Sequence, residues 1–330
     1  MTALDTLQAL PGIRRAWPGT HGTIVFEQQD SRGRLRAGRI DPAGTARLTG
    51  YATDPMLPDL APPETGELVV HRLNRRAVIL GKDQVLKSLR PGKAERVANA
   101  SMQVGGLCRT AGLDAARVLA TTPAQIRFSR LPGRTLQRLG AAGLDGWARF
   151  AESWPALARQ QAGLPAHSAS DEVAVLMHWL AVTERFGALA ELPRLQRAVT
   201  RTCRDLGAAA DPAAVLHRDL HDGQLLWDGK RLSVLDLDTA ARGEAALDLG
   251  NLWAHIELRG VQGLFPQAAR DRVFAHLDRL APQLDIGPAR FECYRQAARL
   301  RLAFVYAFRP DARVWLDRWI AVCLRSANSA

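Results

Sequence analysis

The chain has 330 residues, 47% hydrophobic and 23% charged, with a formal net charge of +11. That length supports two lobes around a substantial core. It holds no apolar run long enough to span a bilayer, and around Asp5 it lacks the basic start and apolar stretch of a secretory leader.

In chain order, residues 21–28 and 34–40 read as a hairpin turning at 30–33. Residues 67–73, 76–80 and 84–88 are rich in apolar and β-branched side chains and read as strands, the last two joined by Gly81, Lys82 and Asp83. Lys87 falls in the last of them. A helix is expected over 93–110, carrying Glu95 near its start and Gln103 further on. A strand over 125–129 ends at Ser129, and the following Arg130, Leu131, Pro132 and Gly133 mark a turn. That turn divides a strand-rich half, expected as a mixed sheet with one helix, from a helix-rich half, giving lobes 1–130 and 131–330. Helical periodicity follows over 143–161, 171–186 with Asp171 as its cap, 192–206, 247–259, 268–280, 290–308 and 312–326. The tryptophans of these segments read as core aromatics. Cys108, Cys203, Cys293 and Cys323 are dispersed without CxxC or zinc spacing, which points to reduced thiols and a cytoplasmic setting.

The densest chemistry lies in His217-Arg218-Asp219-Leu220-His221-Asp222-Gly223-Gln224, which runs into two short strands, 225–227 and 232–235, joined by Asp228, Gly229 and Lys230. The hairpin brings Gln224 and Asp236 to flank one ribbon. Asp219 is a candidate base, and Gln224 and Asp236 are candidate ligands for a hard, oxygen-seeking cation, with Asp238 a further carboxylate. Such a set suits phosphoryl transfer from a magnesium nucleotide. Neither GxGxxG nor GxxxxGK[ST] is present, which excludes a P-loop enzyme and the dinucleotide fingerprint.

These motifs resemble the aminoglycoside phosphotransferase and choline kinase group, a branch of the protein-kinase-like fold. The resemblance implies an α+β, two-lobed architecture with a small β-rich N-lobe and a larger helical C-lobe. It makes Asp219 the catalytic aspartate, with His217 packing its loop, and Asp236 the holder of Mg2+ bridging the ATP phosphates. Gln224 stands where the group has asparagine, one methylene longer. Lys87, in Leu86-Lys87-Ser88-Leu89, matches the strand lysine that contacts nucleotide phosphates; its helix partner stays open between Glu95 and Gln103. The turn from Arg72 to Arg76 is the candidate phosphate cover, and Ser129 and Leu131 lie in the hinge-like segment that meets adenine. Asp248 corresponds to an aspartate that opens a helix, expected to cap it and to hold the active-site loop.

Three functions compete. An ATP- and Mg2+-dependent small-molecule kinase accounts for Lys87, the hinge, Asp219, Gln224 and Asp236 together. A degenerate kinase-like nucleotide-binding protein accounts for Gln224 and the missing helix glutamate. A nucleic-acid binder accounts for the charge alone, and that charge is lopsided. Residues 1–135 carry 20 Lys and Arg against 11 Asp and Glu, whereas residues 136–330 carry 24 against 22. This favours nucleotide attraction in the first half, with no specific nucleic acid and no membrane as partner. The near-balanced second half lacks the acidity that a multiply cationic aminoglycoside calls for. A hydroxylated sugar or amino sugar is the expected acceptor, with an aminoglycoside or choline-type substrate as the alternative.

Overall fold

The computed structural model describes residues 1–208 and 210–326. A short helix, α1 (Ala3–Ala9), starts in a capping box in which Thr2 and Asp5 satisfy each other's backbone N–H groups. It leads into an antiparallel meander of β1 (Ile13–Pro18), β2 (Ile24–Gln29), β3 (Leu35–Ile40) and β4 (Ala46–Leu48). Asp30 folds the β2–β3 turn by accepting the N–H groups of Arg32 and Arg34. Gly38 lies opposite Phe26 in this pair, and the buried Phe26 ring occupies the space above it.

A second antiparallel sheet follows in the order β5-β6-β7-β10-β9, from β5 (Glu67–Arg72), β6 (Arg76–Leu80), β7 (Gln84–Leu89), β9 (Val118–Thr121) and β10 (Gln125–Ser129). The helix α2 (Ala94–Thr110) intervenes, then β8 (Asp114–Ala115). Alternation along the strands gives this sheet two distinct faces. Leu68, Ala77 and Ile79 face the segment containing Ala52, Leu57 and Leu60. The opposite face carries Leu89 and Ile126, which pack on Ala94, Val97 and Ala98 of α2. Lys87 is the cross-strand partner of Ile126 and of Val78, so it belongs to this inner face.

The connection to the second lobe is β11 (Arg134–Thr135), paired with β13 (Leu225–Trp227). Gly133 just before it has φ +97, and a Cβ there would lie 2.5 Å from the Trp227 carbonyl, so only glycine fits the approach. The helices α3 (Leu136–Leu139), α4 (Leu144–Ala158), α5 (Ala169–Arg185) and α6 (Leu192–Leu206) precede β12 (Ala213–Leu216), and the hairpin of β13 and β14 (Leu232–Val234) comes next. Then come β15 (Ala241–Glu244), α7 (Ala246–Val261), α8 (Gln267–Gln283), α9 (Pro288–Tyr306) and α10 (Leu316–Ser326). One core joins Trp147, Phe150 and Trp154 of α4 to β12, β13, β14, α7 and α8. Another joins α5, α6, α9 and Trp319 of α10. The arrangement is α+β and two-lobed, β-rich at the N-terminal side and helical beyond it. Among the described residues no helix is long and apolar enough to cross a membrane.

Several local expectations need correction. The large sheet is antiparallel throughout, not mixed; a parallel pair occurs instead between β8 and β14, where the end of α2 meets the hairpin. The first hairpin strand starts at Ile24, because Thr20–Gly22 forms a 3-10 turn, and α1 and β1 were not anticipated. Ser168, not Asp171, caps α5; Asp171 is the reciprocal third residue of the capping box. The segment expected as one helix over 312–326 breaks into a 3-10 turn, Pro310–Val314, and α10.

The meander contacts both lobes. Arg15 Nη2 donates to the Val69 carbonyl of β5 at 3.2 Å, and the His71 N–H donates to the buried Glu27 at 2.6 Å. On its other side Leu7, Ile24, Phe26 and Ile40 pack with Val182, Ala307 and Phe308. Placing a methyl on Gly38 forces the Phe26 ring out of this contact. Gly38→Ala should cost about 1–3 kcal/mol, read as a lower urea midpoint with unchanged slope; an unchanged midpoint would refute the packing argument.

Candidate active site

Lys87 reaches across the cleft. Its Nζ donates to Asp236 Oδ1 at 2.8 Å and to Asp238 Oδ2 at 2.9 Å, and Arg76 Nη1 stands 3.5 Å from Asp236 Oδ2. Both acids follow β14, where the chain turns sharply: Asp236 has φ 54 and ψ 53, and Leu237–Thr239 makes one 3-10 turn. This left-handed residue aims the two carboxylates back at the inner face of the large sheet. Burial pushes the Asp236 carboxyl up, but the Lys87 and Arg76 charges outweigh it and hold the group well below the usual carboxylate range. Asp238 Oδ1 is buried with no hydrogen-bond partner.

The helix partner left open for Lys87 is neither Glu95 nor Gln103. Glu95 is exposed, and Gln103 Nε2 donates to the Gly163 carbonyl at 3.3 Å. The counter-charge comes from the opposite lobe.

Gln224 sits at the entry to the same hairpin. Its carbonyl accepts the Leu235 N–H at 2.9 Å, which sets Gln224 beside the residue preceding Asp236, as the ribbon argument requires. Asp219 is exposed, and its N–H donates to His217 Nδ1 at 3.3 Å. Among the described residues its carboxylate has no hydrogen-bond or ion-pair partner.

The loop holding Asp219 is pinned at nearly every residue. His217 is buried, and its Nε2 lies 2.7 Å from the Leu235 carbonyl. These bonds assign the proton to Nε2 and leave Nδ1 to accept from Asp219. Thr239 Oγ1 donates to the His217 carbonyl at 3.1 Å. The N–H groups of His217 and Arg218 donate to the two oxygens of Asp248 at 2.6 and 2.8 Å, and Arg218 takes a positive φ of 71. Asp248 holds the active-site loop but does not cap α7, whose first turn starts from Ala245 without a side-chain cap.

Below that anchor, Asn251 Nδ2 donates to the Leu220 carbonyl at 2.8 Å, and Arg301 Nη2 donates to Asn251 Oδ1 at 2.5 Å. Asp222 is buried in a bidentate pair with Arg259, at 2.9 and 3.0 Å. Burial raises the Asp222 carboxyl and the Arg259 charge more than reverses it, so it stays ionised. This pairing makes Asp222 a support of the loop. His221 stacks on His255 at 4.8 Å, and their nitrogens lie with Asp222 in a group spanning 4.8 Å. Both Asp222 oxygens already serve Arg259, whose charge opposes a cation there.

Arg259, Asn251 and Arg301 escaped the sequence reading. A signal existed for two of them: Asp248, Asn251, His255 and Arg259 recur at spacings of three and four along an otherwise apolar α7, and all are buried. That is a polar stripe on one face of a core helix. Arg301 carries no comparable mark.

At the hinge, the Ser129 N–H donates to the Arg117 carbonyl at 2.8 Å and the Arg130 N–H to the Asp83 carbonyl at 3.1 Å. Ser129 Oγ accepts from the Arg117 N–H at 2.9 Å. Ser129 is therefore committed to the sheet, while among the described residues the Leu131 N–H has no partner.

The sequence profile of the phosphotransferase enzyme family matches residues 72–282. No curated protein sequence matches the chain. Among solved structures, a choline/ethanolamine kinase family protein from Mesorhizobium loti superposes with a TM-score of 0.55 at 18% identity, over 84% of this chain and 97% of that one. A macrolide 2'-phosphotransferase from Brachybacterium faecium gives 0.51 at 20% identity, over 81% and 91%. The amicoumacin kinase hAmiN, in complex with AMP-PNP, Ca2+ and amicoumacin, gives 0.55 at 12% identity, over 81% and 88%. At such identities the likeness is one of fold.

Burial pushes the Asp248 carboxyl up to about 6 from an ordinary 3.8. The folded chain then holds a proton between those values that the unfolded chain lacks, so this group adds stability as pH falls from above 6 toward 4. The difference in melting temperature between wild type and Asp248→Asn should therefore shift in favour of wild type from pH 7 to pH 5. A flat or opposite trend would count against the buried, raised acid.

Proposed function

The chain belongs to the phosphotransferase enzyme family, and on that footing we propose that it transfers the γ-phosphoryl group of ATP to a hydroxyl of a small metabolite, a sugar or amino sugar. The observation that carries this reading is the convergence from two lobes of Lys87, Asp236 and Asp238, with an exposed, unengaged Asp219 on a loop that His217 and Thr239 bond to the segment carrying those acids. A binding-only reading rests on Gln224 and the missing helix glutamate, but Asp236 and Asp238 supply the counter-charge of Lys87, and a free carboxylate on so heavily anchored a loop speaks for chemistry.

The residues suit Mg2+ and nucleotide. Asp238 Oδ1 is a buried anionic oxygen without a partner, Asp236 is ionised, and the Gln224 amide oxygen completes a set of hard donors. Asp236, Asp238 and Gln224 would hold the metal. Lys87 and Arg76, which now neutralise the acids, would turn to the phosphates, and the free Leu131 N–H would meet the adenine edge. Bound Mg2+-ATP supplies the electrophilic phosphorus and neutralises charge on the phosphates. The Asp219 carboxylate accepts the hydrogen bond of the acceptor hydroxyl and takes its proton. The hydroxyl oxygen bonds to the γ-phosphorus, the bond from that phosphorus to the bridging oxygen breaks, and ADP leaves. His217 and Asp248 keep Asp219 in place through the loop's backbone, which limits the reorganisation at the moment of transfer.

Asp219→Asn keeps size and polarity but removes the base. It should lower turnover with an identified acceptor by ~100-fold or more while nucleotide affinity changes little. Near-normal turnover would exclude Asp219 from the chemical step. Asp236→Asn should abolish the Mg2+ dependence of ATP binding, measured by titration with and without the metal. Gln224→Asn should retain activity if the longer amide serves the same donor function.

A further inference from the structure

The inner face of the large sheet ends in an arginine cluster that the transfer machinery does not use. Arg72 and Arg76 are cross-strand partners, and Arg76 lies two residues from Val78, the partner of Lys87. By the two-residue period of strands, Arg72 shares the cleft face with Lys87. Its guanidinium lies 5.0 Å from the centroid of Trp17, a residue of β1. Arg309, just beyond α9, stands 5.4 Å from the same ring, and Arg15 stands at 5.8 Å.

Three guanidiniums thus surround one indole, with Glu27 as the nearby acid. Glu27 is already engaged by Arg15 and by the His71 N–H. Neither Arg72 nor Arg309 makes a side-chain hydrogen bond or ion pair among the described residues, and Arg309 Nη1 is buried without a partner. Burial draws both down to about 10, with neighbouring arginines adding to the effect on each. A cation–π contact offsets only part of the cost of leaving such a charge buried and unpaired. Folding alone gives no reason to assemble this cluster.

Its place points to a ligand. Arg301 of α9 anchors Asn251, which holds Leu220 next to Asp219. Arg309 follows Arg301 by eight positions, roughly 12 Å at the helical rise, and Arg72 is the cross-strand partner of Arg76, which stands 3.5 Å from Asp236, so the cluster adjoins the proposed transfer site. We propose that the acceptor carries an oxyanion, a carboxylate or a phosphate, and that Arg72 and Arg309 bind it beside Trp17. This rests on the kinase reading and narrows it to anionic sugars such as sugar acids or sugar phosphates, and it turns the site against cationic amino sugars.

The test uses the full chain with inorganic phosphate and acetate as separate probes, titrated calorimetrically with and without saturating Mg2+-AMP-PNP. At least one probe should bind in the presence of AMP-PNP, and the tighter of the two names the oxyanion. Arg309→Gln should weaken that binding tenfold or more, and Arg309→Lys by less than threefold. Arg309→Gln should melt no lower than wild type, because it removes an unpaired buried charge. The proposal is overturned if neither probe binds, if Arg309→Gln binds like wild type, or if AMP-PNP displaces the probe, which would assign the cluster to the nucleotide. A fall in melting temperature without loss of affinity would mark Arg309 as a structural residue and overturn it equally. Failure of AMP-PNP itself to bind would instead strike the kinase reading, and the phosphate titration of the nucleotide-free protein would still decide the anion site.

Discussion

One ammonium group joins the two halves of the cleft. Lys87 is nearly buried, and it stands between two carboxylates delivered by a single left-handed turn. Removing it would leave Asp236 and Asp238 facing each other without their principal counter-charge, in surroundings that punish unpaired ions. Every other device near the cleft supports that encounter. The sheet register places Lys87 inward, the β8–β14 pair ties α2 to the hairpin, and the Gln224–Leu235 bond aligns the chain that carries the acids. On the proposed reading, a nucleotide with its metal would compete with an ion pair already made, so binding would exchange one set of charge contacts for another and would require no newly exposed charge.

A second layer of order lies behind the loop. Asp248, Asn251, His255 and Arg259 rise along one face of α7, and three of them hold successive parts of the segment from His217 to Asp222. Their partners are mostly backbone groups, which stay constant whichever side chains line the cleft. The loop's shape thus depends on α7 and not on the side chains around the cleft.

Much of this was legible in the residues. The strands from Glu67 to Leu89 are rich in apolar and β-branched residues, though the first alternates only weakly, and the turns at Asp30 and Gly81 carry their own chemistry, so the sheet could be read locally. The helices of the second lobe show the apolar face that their packing demands. The ribbon holding Gln224 and Asp236 followed from two short apolar runs and one tight turn. What stayed hidden depends on contacts between distant segments. No local pattern tells that Lys87 takes its counter-charge from 149 positions away, or that Asp222 is claimed by Arg259. β1 is illegible in the sequence because Arg14 and Arg15 interrupt its alternation, and Arg15 is there for Glu27, the Val69 carbonyl of β5 and Trp17. Asp171 reads as the cap because an acid at a helix start is the stronger textual sign, whereas Ser168 three residues earlier has the better geometry.

The meander has a mechanical consequence. It bonds to β5 on one side through Arg15 and Glu27, and packs Phe26 against Phe308 on the other, while the chain itself crosses between lobes at Gly133. With the β8–β14 pair as a further tie, the lobes are joined at three separated places. Three separated ties fix one rigid body against another, so Lys87 is held in register with the same two oxygens by the frame around it as well as by its own charge.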